Sequence, residues 1–196
     1  MFSFFKAPIH VSHVSKPIVV SINCLHRPPP LWRYDNYSLG VQINYGSRFI
    51  SDPVVTKCSN DTTGGLFPRL KFSSWITFEK NPICTLPREA RLIFVLYGTQ
   101  VAENEQNNGE NGEKKQITTE LGWCAIQLFD YKREMICGSY LLSMWPATAD
   151  KFLGPAPARG CHPQPDFCPV LSIEIPPYGG KIQFPESLEN PPPAPK

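Results

Sequence analysis

An all-β fold, an eight-stranded antiparallel β-sandwich with long loops, is what this sequence predicts, and three observations carry the prediction. Short apolar runs with a period of two recur along the 196 residues, no stretch sustains helical periodicity over three turns, and 22 prolines and 13 glycines punctuate the chain. A period of two sends successive side chains to opposite faces of a strand. Frequent turn residues leave little length for helices, and short strands joined by such turns pack as a sandwich. The length suits one domain with a sizeable core plus tails.

Residues 1–16 read as a disordered N-terminal segment. Met1-Phe2-Ser3-Phe4-Phe5 is apolar, but Lys6, Pro8 and His10 break it before it could serve as the core of a signal peptide. Ile18 to Leu25 is the first strand, with Ile18, Val20, Ile22 and Cys24 on one face, Val19, Ser21, Asn23 and Leu25 on the other, and Pro28-Pro29-Pro30 closing it. Leu39, Val41, Ile43 and Tyr45 alternate with Ser38, Gly40, Gln42 and Asn44 in a half-buried strand that stops at Gly46-Ser47. A shorter strand covers Val54 to Cys58, and Ser59 to Gly65 is turn chemistry throughout. Leu70, Phe72, Ile76 and Phe78 then line one face of a strand whose polar side carries Trp75, a residue that marks a contact either under a loop or against a partner, of which the loop is expected.

Thr85 to Gly98 is the stretch the chain is organised around. A Leu86-Pro87 turn and a charged shoulder lead into an unbroken apolar run that stops at Gly98, the mark of a strand buried on both faces. Residues 102–117 contain an almost wholly polar run and read as a mobile loop, because such a segment cannot offset its ordering entropy. Leu121 to Phe129 and Tyr140 to Trp145 are the next strands, with Asp130 to Glu134 between them as a turn or one helical turn. Residues 147–168 are a proline-rich connection, Val170 to Ile175 is the last main strand, Lys181 to Phe184 an edge strand, and 186–196 a proline-rich tail.

Composition narrows function. A formal charge of +2 is far below what nucleic-acid binders carry, so no nucleic-acid partner is expected. Seven cysteines, odd in number and without a CxxC pair, read as reduced thiols of a cytosolic protein. No run approaches the roughly 20 apolar residues of a membrane span.

Catalytic and cofactor chemistry finds no foothold. His10, His13, His26 and His162 have no serine or cysteine partner evident by sequence. Cys161, His162 and Cys168 suit zinc by type but lack a fourth ligand and a recognised spacing. Asp35, Asp52, Asp61, Asp130, Asp150 and Asp166 stand singly, whereas calcium takes roughly six to eight oxygens, so no metal and no cofactor is expected. Gly64-Gly65 and Gly179-Gly180 are turns without phosphate-loop spacing, and Asp166-Phe167-Cys168 lacks the glycine of a kinase DFG. What remains is charge at strand ends and turns: Lys57, Arg69, Lys71, Lys80, Arg88, Arg91, Lys132 and Arg133 are candidate weak contacts to lipid phosphates.

One ordered set of motifs is specific. Trp75 with Phe78, Leu86-Pro87-Arg88-Glu89-Ala90-Arg91-Leu92, Leu96-Tyr97-Gly98, Leu121-Gly122-Trp123, Leu128-Phe129-Asp130-Tyr131, Gly138 and Leu142-Ser143-Met144-Trp145-Pro146 together resemble the C2 domain of phosphoinositide 3-kinases. Leu66-Phe67-Pro68-Arg69 and Pro30-Leu31-Trp32 with Tyr34 are more like class II than class I. The resemblance implies a C2 sandwich over residues 17–185 that packs against the helical and kinase domains of a parent enzyme and meets an anionic membrane surface, while phosphoryl transfer happens elsewhere. The expectation is a non-catalytic, cytoplasmic, peripherally membrane-associated module, as a fragment or a short product. The alternative is a free-standing protein-interaction domain or adaptor.

Overall fold

The computed structural model describes residues 7–59, 68–102, 115–146 and 168–185. Its strands are β1 (Ile9–His10), β2 (Pro17–His26), β3 (Asn36–Tyr45), β4 (Arg48–Phe49), β5 (Val54–Lys57), β6 (Arg69–Pro82), β7 (Arg91–Ala102), β8 (Lys115–Gln127), β9 (Gly138–Ser143), β10 (Trp145–Pro146), β11 (Val170–Ile175) and β12 (Ile182–Gln183). Two antiparallel sheets face each other. One has the order β10-β8-β7-β3-β4, with β5 also on β3, and the other the order β6-β2-β11-β9. A parallel β1–β12 pair joins the two terminal segments. This is the all-β sandwich expected, and among the described residues no helix is long and apolar enough to cross a membrane.

Alternation builds the core between the sheets. Leu39, Val41 and Ile43 of β3, Leu92, Phe94 and Leu96 of β7, and Cys124 of β8 meet Ile18, Val20 and Ile22 of β2, Leu70, Phe72, Ile76 and Phe78 of β6, and Leu171 and Ile173 of β11. β7 is buried on both faces, as its unbroken apolar run requires. Its other face, Ile93 and Val95, lies against Trp123, Tyr97, Ala125 and Trp145. Trp123 and Trp145 stack with ring centroids 6.4 Å apart.

Local geometry departs from the sequence reading at several places. β2 does not alternate evenly: its pairing shifts between Ile22 and Cys24 against β6, and the pairing with β11 shifts at the same place. The bulge turns Leu25 into the core and Cys24 out of it. Leucine burial stabilises more than cysteine burial, so the strand gives up one regular step to make the exchange. Residues 7–16, expected to be disordered, are ordered. Val11 and Val14 sit on one side of a 3-10 turn and are buried, and Lys16 and Val14 accept backbone bonds from Ile83 and Cys84. The central strand does not stop at Gly98 but runs to Ala102, and β8 begins at Lys115. Ala102 and residues 115–117 of the expected loop are thus strand, and 103–114 lie outside the described residues. So do 147–167 of the proline-rich connection and the tail 186–196. Trp75 is 62% exposed rather than covered. The predicted Tyr140–Trp145 strand is two: β9 pairs with β11, then Met144 carries the chain into the other sheet, where β10 pairs with β8.

The antiparallel order gives the sandwich two distinct ends. His26 lies opposite Arg69 and Asn36 opposite Thr99, with Cys58 and Ser59 bonded to Tyr37 and Lys71. Residues 27–35 project here, and this is called the Leu31 end. At the other end Pro17 lies opposite Pro82 and Asn44 opposite Arg91, and both terminal segments pack there, so it is called the terminal end.

Candidate functional site

The eight predicted cations separate between these ends. Lys57 closes β5, while Arg69 and Lys71 open β6, all at the Leu31 end. Lys80, Arg88, Arg91, Lys132 and Arg133 lie at the terminal end, and several of them have other partners. Lys80 pairs with Asp52 at 3.5 Å between side chains that are almost fully exposed, so the pair adds little. Arg88 projects from the turn after Pro87 and is exposed. Arg91 is only 6% exposed and donates from Nη2 to the Gly46 carbonyl at 3.0 Å. Burial pushes its pKa down. It therefore leaves the set of surface contacts: its place on the outer face of β7, beside Ile93 and Val95, puts it in a buried layer. Lys132 lies over the Tyr131 ring at 5.6 Å. Arg133 is half-buried at φ +65° and donates from Nη1 to the Pro185 carbonyl at 3.3 Å, so its task is to hold the C-terminal segment.

The Leu31 end gathers residues that the sequence did not single out. The bulge in β2 puts Cys24 and His26 on the outer face of the smaller sheet, where their partners across the strand pair are Lys71 and Arg69 and where Ser172 of β11 stands beside Cys24. Cys24 Sγ and His26 Nε2 are 3.2 Å apart. Burial pushes the Cys24 thiol up, and Arg69 and Lys71 pull it partly back, so both cations act on the same small patch. The two spacings of two residues, Cys24 to His26 and Arg69 to Lys71, were visible as same-face pairs. The register that sets them side by side was not.

Residues 27–35 form a braced projection beside this patch. Tyr34 lies flat on Gly98, where an added Cβ would come within 2.5 Å of the tyrosine ring. Tyr37 meets Tyr34 edge-on and donates from its hydroxyl to the Trp32 carbonyl at 3.1 Å. Gln100 donates to the Arg33 carbonyl at 2.8 Å, Val101 N donates to the Asp35 carboxylate at 2.7 Å, and Trp32 N closes a turn onto Pro29. The tip, Leu31, is 90% exposed, and Arg27 and Arg33 on either side are exposed too.

The described aspartates do not converge. Asp35 is held at the Leu31 end by Val101, whereas Asp52 pairs with Lys80 and Asp130 accepts from Glu134 N at the terminal end. Cys168, from the metal trio considered above, donates its thiol to the Met144 carbonyl at 2.9 Å. Cys161 and His162 lie outside the described residues.

Comparison with known proteins places this arrangement. The chain is 26% identical over 174 residues to the phosphatidylinositol 4-phosphate 3-kinase C2 domain-containing subunit beta of Homo sapiens, covering 88% of this chain and 10% of the relative. It is 24% identical over 130 residues to phosphatidylinositol 3-kinase piki-1 of Caenorhabditis elegans, covering 64% and 8%. A third relative, the C2 domain-containing subunit alpha of Pongo abelii, is 25% identical over 115 residues, covering 59% and 7%. The chain spans about a tenth or less of the length of the curated relatives it matches. The C2 domain-containing subunits are of the class II type, in keeping with the Pro30-Leu31-Trp32 segment. The family model described as phosphoinositide 3-kinase C2 matches residues 33–154, more than half of the chain, including the whole of the larger sheet and β6 and β9 of the smaller one, and the chain belongs to that family.

Proposed function

We propose that this chain is a non-catalytic module of a phosphatidylinositol 3-kinase that scaffolds the enzyme and contributes calcium-independent association with anionic membranes in phosphoinositide signalling. In this reading it works in the cytoplasm, peripherally on membranes, with the helical and kinase domains of the parent enzyme as its protein partners. The observation that carries the membrane half is the convergence of Arg69, Lys71, Lys57 and His26 at one end of the sandwich, beside Arg27 and Arg33. Cations near an anionic surface contribute about 1 kcal/mol each, so such a cluster gives weak, additive binding. The separation of Asp35 from Asp52 and Asp130 supports independence from calcium. The scaffold half is supported by Phe49, Val54, Val55 and Trp75, which are exposed along the β4, β5 and β6 side of the sandwich, a concentration that suits protein contact.

Sedimentation with phosphatidylserine-containing and with pure phosphatidylcholine vesicles tests the reading. Binding to the anionic vesicles alone, equal in calcium and in chelator and weakened by salt, is expected. Binding that requires calcium, or none at any charge density, sinks the membrane half. If the chain instead captures no helical or kinase segment of a class II enzyme when co-expressed, the free-standing adaptor reading takes its place.

A further inference from the structure

We infer that Cys24 is a site of covalent thiol modification, taking one half of an acidic low-molecular-weight disulfide, with His26 as the base for the thiol proton and Arg69 and Lys71 as the cations that seat the carboxylates. The inference goes beyond the membrane reading above and needs neither lipid nor the parent enzyme.

A nucleophilic thiol needs a base in reach, and Cys24 has one. Its Sγ lies 3.2 Å from His26 Nε2, and both residues are half-buried on the outer face of the smaller sheet. Strand geometry sets that contact: Leu25 turns into the core, so the residues on either side of it turn out together. Across the strand pair, Lys71 stands opposite Cys24 and Arg69 opposite His26, which makes the two cations side-chain neighbours of the pair. Burial raises the Cys24 thiol more than Arg69 and Lys71 lower it. The resting thiol therefore keeps its proton, and reaction depends on His26. Among the described residues the other cysteines lack this arrangement. Cys58 and Cys168 donate their thiols to the Ser59 and Met144 carbonyls, Cys124 is buried, and neither Cys84 nor the exposed Cys137 has a histidine nitrogen in hydrogen-bond reach.

In the exchange, His26 Nε2 takes the Cys24 proton as Sγ attacks one sulfur of the incoming disulfide. The old S–S bond breaks, a new one joins Cys24 to one half, and the other half leaves as a thiolate that takes the proton from His26. Cys24 is oxidised and the departing half is reduced to a thiol, so atoms and electrons balance. An acidic half suits the place because the Arg69 guanidinium forks onto a carboxylate and Lys71 adds a further positive charge.

The test incubates the whole 196-residue chain with glutathione disulfide, in which carboxylates outnumber ammonium groups, or with cystamine, a cationic disulfide. Adducts are followed cysteine by cysteine by peptide mass spectrometry. Cys24 is expected to react with glutathione disulfide about tenfold faster than the exposed Cys137, and its advantage over Cys137 is expected to be smaller with cystamine. Arg69→Gln with Lys71→Gln is expected to remove that difference between the reagents, and His26→Ala to slow the reaction of Cys24 with both by about tenfold or more. Cys24 reacting no faster than Cys137, or holding the same advantage with both reagents, overturns the inference, and these two readings need only the wild-type chain. Unchanged Cys24 rates in a folded His26→Ala variant overturn the role given to His26.

Discussion

Gly98 shows how one residue can set the geometry of a site it never touches. From sequence it reads as the end of the central strand, yet the strand continues past it, and the missing side chain is filled by the Tyr34 ring. Gly98→Ala should therefore cost about 1–3 kcal/mol through overpacking, measured by urea unfolding. Adding Tyr34→Ala should cost much less in the alanine background than in the wild type, because the clash is then gone. Arg91 teaches the opposite lesson. Its place in a basic turn suggested a lipid contact, but its guanidinium is drawn into the layer behind β7 and bonded to Gly46. Arg91→Ala should lower stability by about 1–3 kcal/mol, because it removes the packing of a buried side chain together with its charged bond to the Gly46 carbonyl. The folded variant should keep wild-type vesicle binding, and weakened binding at equal foldedness would return Arg91 to the contact set.

At the scale of elements, the strands were legible because burial enforces alternation, and Leu39 to Tyr45 or Val170 to Ile175 can satisfy the core in only one way. The bulge at Asn23 was not legible. Sequence offered Cys24 and Leu25 as alternating neighbours, and only pairing with β6 and β11 selects the frame that buries Leu25. The cationic patch depends on that frame, so half of the candidate site could be named from sequence while its assembly could not. The N-terminal segment was misjudged for a related reason. Val11 and Val14 make a pattern too short to notice, and their cover comes from Ile83 and Cys84, far along the chain. The C-terminal strap is equally nonlocal. Phe184 N is bonded to the Arg133 carbonyl, and the Phe184 ring meets Phe129 edge-on at 4.6 Å. Phe184→Ala should lower stability by about 3 kcal/mol in chemical denaturation; a change within error would show that the strap is an accessory to the fold.

For the whole molecule, the buried acids give a stability profile with a definite sign. Burial raises the Cys124 thiol far above its ordinary value of 9.0, with Cys168 adding to the shift. Burial also raises Cys58, Cys168 and Tyr178. Above about pH 9 the unfolded chain releases these protons while the folded chain keeps them, so stability is full below that pH and falls as pH rises. Cys124 alone can contribute a slope of up to about 1.4 kcal/mol per pH unit. Urea midpoints between pH 8 and pH 10.5 should fall steeply in the wild type and less steeply in Cys124→Ala, and parallel slopes would contradict the assignment.

The two ends give the molecule a direction. The terminal end carries both chain segments, and Arg91 and Arg133 there are occupied with internal contacts. Among the described residues, the cations of the Leu31 end make no ion pair and are set around an apolar tip. Charge reversal compares these ends most directly, with Arg69→Glu and Lys71→Glu in one variant, Lys80→Glu and Arg88→Glu in another, and calcium-free titration of each against phosphatidylserine vesicles. The first variant is predicted to lose about tenfold or more in affinity while the second stays within about threefold of wild type, and the reverse order would contradict the account.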